Sequence, residues 1–311
     1  SISVMASLNA SLAVFLPYNF SGGPVKERAA RSFVCALLLA FEHVHTRNTS
    51  IVPELTNLTR DVNFTYQLLG TEASAAVAVN HAIDFLVESR ALADDVPRAM
   101  LGPAWSALAK PMALMAGAEE VPMVSYWAAS PKLSTLPYFT RTFPSDSTAG
   151  RLLVQLLYNG SVFKDWNHVA VVYQDDEWGQ GYVAQMKLEF KRLIASKPDA
   201  EREPPLLSAD TDTDSSALEK VSKYRTLRTF SFAVESGSIE ADKRRSVNLA
   251  LDAVKDTGAS VIVVVALGPS FVNILEASQA TPALRQRARA LLSTPQPLYS
   301  SLRHQSMAGG E

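Results

Sequence analysis

The chain has 311 residues, of which 47% are hydrophobic and 19% are charged, and this composition is typical of one large globular domain or two ordinary ones. Its 29 basic and 31 acidic residues give a formal net charge of -2, so no chain-wide positive field attracts nucleic acid or anionic lipid. The longest apolar runs, residues 33–41 and 261–267, are far shorter than the roughly 20 residues that span a bilayer. Composition therefore argues against a disordered chain, a nucleic-acid partner and a membrane span within this sequence.

Cys35 is the single cysteine, which excludes an intrachain disulfide and a cysteine-based zinc or iron–sulfur site. Taken alone, this favours a reducing compartment. However, six of the ten asparagines begin an Asn-x-Ser/Thr triplet, where chance predicts about one or two, and this excess favours a eukaryotic secretory route with glycans on exposed loops. Chance clustering of small polar residues in loops would produce the same triplets. The candidate glycosylation sites are Asn9, Asn19, Asn48, Asn57, Asn63 and Asn159.

Short apolar runs alternate along the chain with stretches whose apolar residues recur every three or four positions, a pattern typical of βαβ units around parallel sheets. In the first half, a strand is predicted at residues 11–17, and Pro24 begins a helix in which Cys35 is expected to be a small buried hydrophobe. The apolar stripe of this helix comprises Phe33, Val34, Leu37, Leu38, Phe41 and Val44. Further strands are predicted at residues 64–69, 98–102, 122–126 and 138–143, with helices at residues 73–87 and 104–118.

A hinge segment between two similar halves is predicted at residues 144–147, because Pro144 interrupts a strand and Ser145 or Asp146 can cap the helix that follows. In the second half, strands are predicted at residues 168–173, 230–234 and 260–266, helices at residues 148–158, 178–195, 246–254 and 271–277, and a long surface loop at residues 196–222. The expected organisation is a first lobe over residues 1–143, a second lobe over residues 144–281, and an atypical tail over residues 282–311, disordered or divergent, where the pattern fades.

Motifs for catalysis, cofactors and metals find little support in the sequence. The nearest approach to a dinucleotide-binding turn, residues 179–181, lacks the third glycine, and there is neither a Walker lysine motif nor a Gly-x-Ser-x-Gly elbow. His43 and His45 are two positions apart, so on a helix they point to different faces and cannot chelate one ion. Three consecutive acids at residues 175–177 could hold a divalent cation but are more typical of a solvated turn. No metal, cofactor or enzymatic activity is therefore expected.

The end of one predicted strand carries residues suited to binding a ligand, and this site is better supported than the catalytic and metal motifs. In an open α/β sheet, ligands lie beyond the carboxyl ends of the strands, where helix N-termini offer unpaired amides to anions. Residues 102–106, Gly-Pro-Ala-Trp-Ser, form such an end, and Ser106 can present a hydroxyl beside those amides. A ligand carboxylate there would gain on the order of 0.3 to 2 kcal/mol from the helix dipole. A capped helix without a ligand fits the same residues.

Four segments in order, GPAWS, VPMVSYWAASPKLS, YFTRTFPSDS and HVAVVYQDDEWGQG, together with the helix sequence CALLLAFEHVH, carry a family resemblance. They resemble the ligand-binding region of class C G-protein-coupled receptors, natriuretic-peptide-type receptors and ionotropic glutamate receptors. Within this superfamily the sequence is most similar to the metabotropic glutamate and GABA-B receptors. The resemblance implies an α/β fold with two Rossmann-like lobes, each a parallel sheet flanked by helices, as in periplasmic binding proteins of type I. It covers residues 12–277 and then stops, so the second lobe is expected to be incomplete.

The resemblance also implies ligand-binding residues in the first lobe. Ser106 lies where the family places a hydroxyl that receives the carboxylate of an amino-acid ligand. Ala128, Ala129 and Ser130 lie where the amino-acid receptors hold the same ligand through backbone groups and a Ser or Thr hydroxyl. Ala129 lacks that hydroxyl, which departs from glutamate-type recognition. Arg141 resembles a family arginine that is structural through ion pairing.

Three further residues are implied around the ligand. Asp146 lies where the glutamate receptors keep an acid that pairs with the ligand ammonium, although many relatives keep it as a helix cap. Trp178 lies where an aromatic residue of the second lobe covers the ligand, a position that suits an apolar ring with an N–H donor, or it packs the start of its helix. Tyr18, in the loop after the first strand, is a candidate for the rim.

The implied function is that of an extracellular ligand-binding domain at the surface of a cell. A small, amino-acid-like ligand would bind between the lobes and signal by lobe closure to a membrane domain that is missing from this chain. A homodimer or heterodimer through the first lobe is expected. The alternatives are a periplasmic-type solute-binding protein that serves a transporter, a ligand-free dimerisation module of a receptor, and an enzyme, for which no convincing set of catalytic residues is found.

Overall fold

The computed structural model divides into two compact units, Ser1–Ser145 and Asp146–Glu311. The boundary between them falls inside the hinge segment predicted at residues 144–147. The structure describes residues 8–16, 24–57, 62–72, 74–90, 98–159, 168–195, 226–233, 240–259, 261–266, 268–280 and 290–293.

The first unit is built around a parallel sheet. In its described residues, the strands are β1 (Leu8–Leu16), β2 (Val62–Gly70), β3 (Arg98–Leu101), β4 (Met123–Ser125) and β5 (Phe139–Arg141), in the order β2-β1-β3-β4-β5. The helices are α1 (Pro24–His45), α2 (Ala75–Arg90) and α3 (Ser106–Ala118), and short 3₁₀ helices occur at Pro53–Asn57 and Pro131–Thr135. Parallel neighbours need crossover connections, which these helices provide.

Both faces of this sheet are covered, as β1 shows. Successive strand residues point to opposite faces, and Ala13 and Phe15 pack into a core with α2 and α3. Val14 and Leu16 pack on the other face, against Leu37 of α1. The four β1 side chains are exposed by 2% or less, which explains why this strand reads as a continuous apolar run rather than as an alternating one.

Two predictions for α1 are wrong. Cys35 is exposed, and Leu38, which was assigned to the apolar stripe, is 42% exposed. Phe33, Val34 and Phe41 do pack beside Leu37 on the sheet. Each step along a helix rotates by about 100°, so residues that directly follow Val34 and Leu37 turn away from a sheet that covers only one side of the helix.

The second unit repeats the architecture. Its described strands are β6 (His168–Gln174), β7 (Thr226–Phe232), β8 (Val261–Val265) and β9 (Ala290–Ser293), parallel in the order β7-β6-β8-β9. Its described helices are α4 (Ser147–Asn159), α5 (Glu177–Ala195), α6 (Glu240–Lys255) and α7 (Gly268–Ala280). Every residue of β8 is exposed by 1% or less, as expected for a strand with helices on both faces. The α/β class with parallel sheets flanked by helices is confirmed in both units.

Two strands of the second unit differ from prediction. β7 begins at Thr226, earlier than the predicted residues 230–234. It lies at the edge of the sheet that the described strands form, keeps polar residues such as Arg228 exposed and lacks a continuous apolar run. β9 lies inside the predicted atypical tail of residues 282–311 and pairs with β8. Its four residues, ALLS, are too few to produce a recognisable period. The predicted loop at residues 196–222 lies outside the described residues.

The glycine pair considered for a dinucleotide turn has a packing role in α5. Gly179 and Gly181 are buried in the first turns of this helix. The Gly179 amide donates a 2.7 Å hydrogen bond to Asp176 Oδ1. A Cβ atom at position 179 would lie 2.0 Å from the backbone oxygen of Gln174. Glycine is therefore required here so that α5 can begin directly against the end of β6.

We expect Gly179→Ala to lower the free energy of unfolding by about 1–3 kcal/mol, because the added methyl group overlaps backbone that must shift. Alanine on its own favours a helix by about 1 kcal/mol over glycine, so the sign of the change is informative. The measurement is urea denaturation followed by circular dichroism. The control is Lys187→Ala at an exposed position of the same helix, which should change stability by no more than about 0.5 kcal/mol. A stabilised Gly179→Ala protein would contradict this packing.

Candidate functional site

The N-terminus of α3 lies directly after the carboxyl end of β3. The connecting residue Gly102 has a φ of 100°, and its peptide bond to Pro103 is cis. A Cβ atom at this position would lie 2.4 Å from the backbone oxygen of Phe15, so only glycine fits between β1 and the turn. Trp105 precedes α3 in an extended conformation and provides no side-chain cap. The first-turn amides of α3 therefore present the positive end of the helix dipole at this edge of the sheet.

Ser106, the first residue of α3, meets the predicted binding segment at residues 128–130. The Ser106 hydroxyl oxygen accepts a 3.1 Å hydrogen bond from the backbone N–H of Ser130. All four residues are buried: Ser106 is 4% exposed, Ala128 1%, Ala129 6% and Ser130 0%. The structure thus brings together Ser106 and the 128–130 segment, as the sequence analysis expected. A hydroxyl that accepts one bond keeps its own proton to donate.

Ser125 joins this segment to the turn before α3, and sequence reasoning did not single it out. Its hydroxyl donates a 2.7 Å hydrogen bond to the carbonyl of Pro103 and accepts a 3.0 Å bond from the N–H of Ala128. Ser125 is fully buried at the end of β4. The available signal was a hydroxyl residue that ends a short apolar strand, because a buried polar group needs partners.

Arg141, at the end of β5, donates hydrogen bonds to carbonyl oxygens of the 128–130 segment. One guanidinium nitrogen, Nη1, donates to the backbone oxygens of Ser130 at 2.8 Å and Ala128 at 3.2 Å. The other, Nη2, bonds the hydroxyl of Ser134. The structural interpretation of Arg141 agrees with these bonds. Their acceptors are backbone oxygens and a hydroxyl, whereas the resemblance implied ion pairing.

Asp146 and Trp178 contact each other within the second unit. The indole Nε1 of Trp178 donates a 2.6 Å hydrogen bond to Asp146 Oδ2, and the side chain is 7% exposed. The pKa of Tyr182 is raised to about 12, mainly by burial and to a smaller extent by the negative charge of Asp146. Its ring centroid lies 6.1 Å from that of Trp178. This geometry fits the alternative in which Trp178 packs the start of α5, and a ligand contact by either residue stays a prediction.

The acidic residues at 175–177 begin α5. Asp176 accepts hydrogen bonds of 2.7 Å from the Gly179 amide and from the Gln174 side chain. Burial raises the pKa of Asp176, while these two hydrogen bonds act in the opposite direction. Asp176 is thus a partly buried helix cap rather than part of a solvated turn. In the described part of the chain, no group of three or more His, Cys, Asp or Glu residues could hold a metal ion.

The sequence-predicted glycosylation sites differ in their surroundings. Asn57 is exposed at the end of the first 3₁₀ helix. Asn48 is half-buried, with its Nδ2 atom 3.2 Å from His43 Nδ1 and its Oδ1 atom accepting a 2.5 Å bond from Ser50. Asn9, Asn63 and Asn159 belong to β1, β2 and α4, whereas Asn19 and Tyr18 lie outside the described residues.

None of the helices that the structure describes is both long enough and apolar enough to cross a membrane. The candidate first-unit site is instead an arrangement of buried hydroxyl groups, backbone groups and one helix N-terminus. Such an arrangement suits the binding of a small polar or anionic group.

Comparison with known proteins gives matches to receptors. Residues 36–197, just over half of the chain, match the family described as receptor family ligand binding region. Over 94 residues the chain is 38% identical to Glutamate receptor 3.7 of Arabidopsis thaliana, a match that covers 30% of this chain and 10% of that protein. Over 90 residues it is 31% identical to Metabotropic glutamate receptor-like protein E of Dictyostelium discoideum, which covers 28% of this chain and 10% of that protein.

The match to the family includes the whole of α3, β4, β5 and α5, and therefore the residues described above. The family is one of receptor ligand-binding regions, not of enzymes, and the matches extend over about a tenth of the length of these relatives. The chain therefore belongs to the receptor family ligand binding region family, as the sequence resemblance predicted.

Proposed function

We propose that this chain is the extracellular ligand-binding domain of a membrane receptor, and that a small amino-acid-like ligand binds between its lobes and closes them. The observation that carries the proposal is the junction of Ser106 and Ser130 at the uncapped N-terminus of α3, inside the family match. The names of the relatives, which are glutamate receptors or receptor-like proteins, favour an amino acid as the ligand.

The chemistry of the first-unit site suits a carboxylate. The amides and the positive dipole end of α3 attract an anion, with a gain on the order of 0.3 to 2 kcal/mol. Ser106 can donate its hydroxyl proton to the same group while it accepts from Ser130. Ala128, Ala129 and Ser130 add backbone groups, and hydrogen bonds to a charged ligand are worth more than bonds between neutral groups.

The second unit contributes Trp178 and Asp146 in this proposal. The hydrogen bond between them fixes the orientation of the indole. In the proposal the apolar ring covers the ligand, and the negative charge of Asp146 attracts the ligand ammonium. Tyr18 completes the rim. A ligand stabilises a closed form only by its extra affinity for that form, and a shift from 1:99 to 99:1 requires about 5.5 kcal/mol.

The wider context of the proposal is a receptor at the cell surface. The membrane domain would lie outside this sequence, the first unit would form a homodimer or heterodimer, and the closed state would pass the signal onward. The domain itself would bind its ligand without chemical conversion.

A second candidate function is a ligand-free dimerisation module of a receptor. It is favoured by the polar groups that already have protein partners: Ser106 accepts from Ser130, and Trp178 donates to Asp146. Ala129 also lacks the hydroxyl that the amino-acid receptors use. The two candidates make opposite predictions for binding of amino acids.

We expect isothermal titration calorimetry with the twenty standard amino acids to detect at least one that binds, and Ser106→Ala to weaken its affinity by roughly ten- to a hundredfold. The reason is that the variant loses one hydrogen bond to a charged group, which is worth about 1.5–3 kcal/mol. The control is Ser278→Ala, which removes a hydroxyl that bonds the local helix carbonyl of Leu275 in α7. It should leave the affinity unchanged.

Unchanged affinity in Ser106→Ala would refute the assignment of the site to the N-terminus of α3. Absence of binding to all twenty amino acids, by wild-type protein that is folded by circular dichroism, would refute the amino-acid receptor and favour the ligand-free module.

For the proposed secretory route, we expect Asn57 to carry an N-linked glycan and Asn48 to remain unmodified. The glycan is attached through Nδ2, which is exposed with the rest of the side chain at Asn57 but lies against His43 at Asn48. The measurement is glycopeptide mass spectrometry of protein secreted from eukaryotic cells. Asn57→Gln should remove one glycan mass, and the matched variant Asn48→Gln should remove none. Protein without a glycan at any of the six triplets would refute the secretory proposal.

A further inference from the structure

The backbone of the 128–130 segment forms hydrogen bonds both through its N–H groups and through its C=O groups. The N–H of Ala128 donates to Ser125, the N–H of Ser130 donates to Ser106, and both carbonyl oxygens accept from Arg141. Ser125 and Arg141 are register partners on β4 and β5. Two adjacent strand ends therefore supply the acceptor and the donor that fix one buried segment.

The residue between these anchored positions is Ala129. With respect to the part of the chain that the structure describes, its backbone N–H and C=O form no hydrogen bond. Ala129 is only 6% exposed, and a buried backbone N–H or C=O without a hydrogen-bond partner lowers the stability of the fold. A ligand group that bonds this peptide would remove that loss of stability.

A guanidinium group is suited to anchoring the two flanking residues. It presents five N–H donors in a rigid plane, so one side chain can bond two carbonyls and the hydroxyl of Ser134 at the same time. A lysine ammonium is a compact charge on a flexible stem and cannot reproduce this fork. The charge strengthens each bond relative to one between neutral groups.

We propose that Arg141 is a positioning residue that sets the ligand-binding geometry of the 128–130 segment. Arg141 bonds the carbonyl oxygens of Ala128 and Ser130. The N–H and the C=O of Ala129 then remain as the backbone donor and acceptor for a ligand beside Ser106. Selectivity for a ligand with an acceptor and a donor then comes from the main chain, which explains how the site can operate without a hydroxyl at position 129. This inference rests on the proposed ligand-binding function.

The first test is hydrogen exchange of backbone amides in the ligand-free protein. Arg141→Gln should speed exchange at Ala128 and Ser130 by roughly tenfold, which corresponds to about 1.4 kcal/mol, and leave the amides of β1 and β8 unchanged. Arg141→Lys should give an intermediate rate. The matched control is Arg151→Gln at an exposed position of α4 in the second unit, and it should change neither set of amides.

The second test is calorimetry with the twenty standard amino acids as probes. Arg141→Gln should weaken the binding of the amino acid that the wild type prefers by roughly tenfold or more, with partial recovery in Arg141→Lys and none of this loss in Arg151→Gln. Equal exchange at residues 128 and 130 in Arg141→Gln and the control, or a uniform increase across the first unit, would refute the positioning role. Unchanged affinity despite faster local exchange would refute its effect on the ligand.

These outcomes separate the two proposals. If the wild type binds none of the probes, the proposed function fails, while amide exchange still decides whether Arg141 holds the segment. If Arg141→Gln does not fold, Arg141→Lys provides the same comparison of exchange rates, with a smaller increase expected at Ala128 and Ser130 alone.

Discussion

The candidate site depends on the parallel arrangement of the first sheet. In parallel strands, all carboxyl ends meet at one edge, so the chain leaves β3, β4 and β5 at the same place. The turn at Gly102, the 128–130 segment and Arg141 are therefore neighbours, although up to about 40 residues of sequence separate them. An antiparallel strand at any of these three positions would send its carboxyl end to the opposite edge, and no such arrangement would form.

Burial then imposes a second constraint, because polar groups that leave water must find partners. Ser106, Ser125 and Arg141 meet this requirement for Ala128 and Ser130 with four hydrogen bonds between 2.8 and 3.2 Å. The same bonds fix the backbone close to the uncapped N-terminus of α3. A backbone segment that is fixed by hydrogen bonds beside the positive end of a helix suits the recognition of a small anionic group, and it needs no mobile charged side chains.

Sequence and structure agree best where a local pattern repeats and differ where burial depends on a neighbour. The apolar run at β8 and the start of α1 at Pro24 carry a signal within the segment itself. β9 is too short for such a signal and exists because β8 offers an edge to pair with. Cys35 and Leu38 are exposed because only the tertiary structure shows how wide a face of α1 the sheet covers.

The amino-acid sequence alone was enough to predict the fold class and the position of Ser106 after a strand, because periodicity, proline and helix-starting residues act locally. It also carried the family resemblance that the comparison confirmed. The three-dimensional arrangement was needed to find which groups bond to one another: Ser125 to Pro103, Arg141 to two carbonyls, and Trp178 to Asp146. Each of these bonds depends on distances across strands or helices, which a one-dimensional pattern does not contain.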